Sequence, residues 1–80
     1  MPYINYDLRE ALDFGEEKPQ SVGELTYKLT KVCIEYLPHP WKFQDIAEVL
    51  GALEATKLEF YRRRVAPYED EKCEENGDVF

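Results

Sequence analysis

The residues best suited to chemistry are clustered late in the chain. Arg62, Arg63 and Arg64 are consecutive, Lys57 and Tyr61 stand just before them, and Tyr68 follows. Guanidinium forks hold phosphate oxygens two at a time, and aromatic faces stack on bases or cations. Together these residue types are a set for holding a small nucleotide-like anion. A plainer account stands beside that one. Cations are favoured at a helix C-terminal end, where they also pair with acids such as Glu59 or those after Pro67. Glu54, Lys57, Tyr61 and Arg64 are spaced by 3, 4 and 3 residues, which makes them a file on one helix face. Charges set in an apolar arc must be paired, hydrated or bound. The file is therefore either a ladder of salt bridges or the polar lining of a pocket.

Catalytic chemistry has much less to work with. His39, the only histidine, sits in a loop between two prolines, with no nucleophile or carboxylate at a telling spacing. Cys33, His39 and Cys73 lack the spacing of metal ligands, and the two cysteines are too far apart to form a disulfide framework. The expectation is a protein that is not an enzyme, with no metal and no cofactor.

The arginines lie on the run FQDIAEVLGALEATKLEFYRRRVA, residues 43–66, the longest helix-compatible stretch. At about 100° per residue, Ile46, Val49, Leu50, Leu53 and Phe60 form one stripe. Ala47, Gly51, Leu58, Tyr61 and Val65 form a second stripe beside it. The combined arc is wider than a helix packed on one side needs. Ala47, Gly51 and Ala55, with Leu58 beside them, form a small-residue edge where another backbone can approach. These four are the expected oligomer contact.

The remaining elements are shorter. Residues 1–6 read as an extended arm whose Tyr3, Ile4 and Tyr6 need somewhere to dock. Residues 7–14 read as a helix capped by Asp7, with Glu10 three residues on, an apolar edge of Leu8, Ala11 and Leu12, and Gly15 as its stop. Residues 21–37 read as a second helix opened by a Ser21/Glu24 capping box. Its core stripe is Leu25, Leu29, Val32, Cys33 and Tyr36. Tyr27 and Ile34, with Thr30 nearby, lie on the other side and hint at a second contact. PHPWK, residues 38–42, is a rigid loop with Trp41 as its anchor. Pro67 is expected to interrupt the long helix and to start another, which Asn76-Gly77 closes before a tail ending in Phe80.

Eighty residues make one small domain, here read as 1–80. A core of that size is marginal alone, and oligomerisation is the remaining common way to bury more surface. The fold expected is all-α, a small oligomeric bundle of three to four helices. A net charge of −7 disfavours nucleic-acid polymers, although the arginine triplet leaves room for a small anion. No apolar run is long enough to span a membrane and no leader is evident, so a cytoplasmic protein with reduced thiols is expected.

The segment LEFYRRRVAPYEDEKCEENGDVF, with the opening MPY and the GEL at Gly23–Leu25, resembles a family of short, uncharacterised proteins encoded by bacteriophages and related elements. That resemblance covers residues 46–80 well and the start loosely. It supplies no catalytic residues and implies expression in a bacterial host cytoplasm. In that setting the expected function is sequestration of a nucleotide-derived signalling anion in a pocket between subunits, an anti-defence sponge. Arg62, Arg63, Arg64 and Lys57 would hold phosphate, and Tyr61 or Tyr68 would stack. The alternative is a protein–protein inhibitor or adaptor that meets a host protein through the acidic Glu69–Asp78 segment.

Overall fold

The computed structural model describes residues 3–14 and 18–80. The elements are α1 (Tyr6–Phe14), α2 (Val22–Tyr36), α3 (Phe43–Phe60), a π-turn (Tyr61–Val65) and α4 (Ala66–Asn76). The chain is all-α, with no strand among the described residues. It divides into two units, Met1–Asp45 and Ile46–Phe80.

In the first unit α1 packs on α2. The cap of α1 falls one residue before the helix, not at Asp7. Asn5 accepts a hydrogen bond from the Leu8 N–H through Oδ1 at 2.9 Å. An asparagine in that place satisfies an orphan donor as well as an aspartate would, and it lets the helix begin at Tyr6. The expected stop at Gly15 lies outside the described residues. The start of α2 follows expectation: Ser21 is extended, and its Oγ accepts from the Glu24 N–H at 3.1 Å. Glu24 reaches back to the Gln20 N–H at 3.4 Å, one residue earlier than a standard capping box requires.

The face of α2 that meets α1 is not the one its apolar stripe predicts. Leu12 is 2% exposed, the one buried hydrophobic residue among those described. The groups reaching α1 from α2 are on the side of Tyr27, Lys28 and Lys31. Lys28 Nζ donates to the Leu12 carbonyl at 2.7 Å, serving the C-terminal end of α1. Tyr27 donates its hydroxyl to Asp13 Oδ2 at 2.7 Å, and Lys31 Nζ stands 3.9 Å from the same oxygen. The stripe expected to be core is largely open, with Leu25 at 47%, Leu29 at 45% and Val32 at 59% exposed. A nine-residue helix is too short to cover two faces of its neighbour, and here polar pairing chose the face. Trp41 is also half exposed, so it does not anchor the loop in a core.

In the second unit, the helix does not break at Pro67. Ala66 keeps right-handed helical angles, φ −59° and ψ −46°. Proline brings no N–H, and its ring crowds the carbonyl four residues back. The chain answers by widening one turn: the Ala66 N–H donates to the Tyr61 carbonyl, five residues back. α4 then runs to Asn76, where Gly77, at φ +84°, donates its N–H to the Cys73 carbonyl at 2.7 Å. That positive φ suits glycine, and the stop is where the Asn76-Gly77 pair predicted it. From Leu50 to Arg64 every residue is exposed. No helix among the described residues is long and apolar enough to cross a membrane.

Candidate functional site

Two places gather charged and aromatic side chains. The first is the π-turn itself, YRRRV, which contains Tyr61 and all three arginines. Pro67 creates the turn, so the widened backbone and the cations are set by the same short sequence. From Lys57 to Arg64 there are four cations against one acid, Glu59. Glu59 Oε1 accepts from Arg62 at 2.9 Å and from Arg63 Nε at 2.7 Å. Those two bonds, Arg63's first, hold its carboxyl below the usual glutamate range. Lys57 pairs with Glu54 at 3.2 Å. Tyr61 donates its hydroxyl to Glu69 Oε1 at 3.0 Å, which raises the phenol above its ordinary value. The Lys72 ammonium lies 5.6 Å from the centre of the Tyr68 ring.

Within the file of Glu54, Lys57, Tyr61 and Arg64, Lys57 pairs with Glu54 on α3, while Tyr61 reaches Glu69 on α4. Arg64 is its exception, with no ion pair or side-chain hydrogen bond among the described residues. Exposed pairs of this kind contribute little to stability. They order the side chains and still leave an excess of positive charge at the turn. Ala47, Gly51, Ala55 and Leu58 lie on α3, and all four are exposed. A Cβ built on Gly51 meets nothing within 4 Å. Within one chain, then, the glycine makes room for no side chain.

The second place is a cleft of about 550 Å³ in the first unit, lined by Tyr3, Ile4, Asn5, Arg9, Tyr27, Thr30, Lys31 and Ile34. The arm, α1 and α2 each supply part of its wall. Tyr27 is fixed by its bond to Asp13, which pushes the phenol up and keeps it protonated. The Arg9 guanidinium lies 5.7 Å from the Tyr6 ring centre and has no carboxylate partner among the described residues. Two cations and two phenol rings therefore border one open hollow. Tyr27, Thr30 and Ile34 border this cleft, as does the half-buried Ile4, but the arm does not dock as expected: Tyr3 is 96% and Tyr6 63% exposed. Arg9 and Lys31 carry no sequence signal. Only the docking of α1 on the Tyr27 side brings them together.

No curated protein and no solved structure matches the chain. One family does match, over residues 1–79, and by that match the chain belongs to the family described as a domain of unknown function (DUF6899).

Proposed function

We propose that this is a non-enzymatic binding protein that self-associates and takes up a small nucleotide-like anion. The observation that carries this reading is the cleft of Tyr3, Arg9, Tyr27 and Lys31. Its volume of about 550 Å³ falls in the range of small-ligand pockets. Phenol rings offer faces to a base, and Arg9 offers an unspent fork to a phosphate. A second pocket between subunits, bordered by Arg64 with Arg62, Arg63, Lys57, Tyr61 and Tyr68, belongs to the same reading. On this reading, which takes the phage resemblance of residues 58–80 as its support, the protein would act in a phage-infected bacterial cytoplasm, where sequestering a signalling nucleotide would blunt a host defence.

The test is calorimetry against a panel of cyclic and linear nucleotides, with Arg9→Ala and Arg64→Ala alongside. Loss of one charged hydrogen bond, about 1.5–3 kcal/mol, weakens binding roughly ten- to hundredfold. Arg9→Ala losing the ligand assigns it to the cleft, and Arg64→Ala losing it assigns it to the turn. No heat with any nucleotide at millimolar concentration overturns the reading.

The adaptor reading has its own support. Glu69, Asp70, Glu71, Glu74 and Glu75 are exposed on α4, and the tail beyond them ends in the exposed Val79 and Phe80. An acidic helix with an apolar end suits a basic protein surface that has a hydrophobic notch. Removing residues 69–80 should then abolish capture of a host protein while leaving nucleotide binding in the cleft intact.

A further inference from the structure

If the chain self-associates, as proposed above, the charge order along the exposed length of α3 selects its partner. Leu50 is 62% exposed, Leu58 61% and Phe60 59%, so each apolar stripe of the helix has large side chains in the open. A monomer would leave this surface in water at a cost that scales with its area. Around Ala55 the charges are asymmetric. Asp45, Glu48 and Glu54 precede it, while Lys57, Arg62, Arg63 and Arg64 follow, with Glu59 the single acid among them. Glu48 has no ion-pair partner among the described residues, and Arg62 and Arg63 share one carboxylate.

We infer that two copies of the chain pair their α3 helices antiparallel, centred near Ala55, so that Glu48 of each copy lies beside Arg62 and Arg63 of the other. Ala55 is the midpoint: Glu48 and Arg62 each stand seven residues from it, about 10 Å along the helix axis. A two-fold axis there makes the contact twice, once at each end of the seam. Parallel pairing would set arginine triplet against arginine triplet and acidic α4 against acidic α4, and like charges held together oppose association. The stripe of Ala47, Gly51 and Leu58, which flanks Ala55 on the helix, supplies the driving force, the charges choose the direction, and the open space beside Gly51 lets the two backbones approach.

The experiment is sedimentation equilibrium on the full chain, comparing wild type, Glu48→Lys and the double variant Glu48→Lys/Arg62→Glu, with helix content checked by circular dichroism. Antiparallel pairing predicts that Glu48→Lys weakens the dimer about tenfold or more, since two attractions become repulsions, and that the double variant recovers most of the loss. An equimolar mixture of Glu48→Lys with the single variant Arg62→Glu should also associate more tightly than either alone. Parallel pairing predicts no weakening from Glu48→Lys, because two facing acids simply become two facing bases. A wild-type dimer unaffected by Glu48→Lys, or one not rescued by the second change, overturns the antiparallel arrangement and leaves self-association standing. A wild type that stays monomeric at high concentration removes both.

Discussion

Leu12→Ala should be the most damaging single change in the first unit. Leu12 is 2% exposed, and no other hydrophobic residue described is buried. Truncation removes three carbons, at about 0.8 kcal/mol each, or about 2.4 kcal/mol of transfer free energy. The added cost of a cavity should be small. Leu8 beside it is 38% exposed and Ala11 is half-buried, so the site can collapse or admit water. The expected loss is about 2–3 kcal/mol, the lower end of buried leucine truncations. For a chain this short, with a total stability of about 4–12 kcal/mol, that is a large share. Urea unfolding followed by circular dichroism measures it, with Leu29→Ala as the companion. Leu29 is 45% exposed, so on the single chain its truncation should cost only about 1 kcal/mol. A larger Leu29→Ala effect that grows with protein concentration would mean that another subunit covers the α2 stripe. A Leu12→Ala cost below about 1 kcal/mol, or one equal to Leu29→Ala at every concentration, would refute Leu12 as the buried apolar anchor of the first unit.

Two smaller perturbations test local structure. Ser21→Ala removes the side chain that caps α2 and should cost about 1 kcal/mol of stability, read as a lower melting temperature with α2 frayed at its start. The Glu59 pair predicts a pH effect of definite sign. Its carboxyl is depressed in the folded chain, so its contribution is present above the ordinary glutamate pKa and lost as pH falls through the lowered value. Carbon-detected titration of the Glu59 side chain should show a midpoint below that of free glutamate, and Arg63→Ala, which removes the larger cause and leaves the Arg62 bond, should move it back up.

Local signals decided much of this chain without help from its fold. Ser21 with Glu24 starts a helix, and Asn76-Gly77 ends one, because each satisfies backbone groups only a few residues away. The wide apolar arc of residues 46–65 and the file of Glu54, Lys57, Tyr61 and Arg64 follow from helical period alone. Pro67 shows where such reasoning stops. The sequence says that a hydrogen bond must be lost there, but not whether the chain breaks or widens into a π-turn, since that depends on whether the next residues can remain helical at low cost. The face of α2 that receives α1 was illegible for a different reason. Periodicity ranks faces by hydrophobicity, whereas a short helix docks where its ends also find partners, and Asp13 and the Leu12 carbonyl found Tyr27 and Lys28. The cleft holding Arg9 and Lys31 exists because of that choice. Its residues are distant in sequence and individually ordinary, and only tertiary packing gives them a common surface.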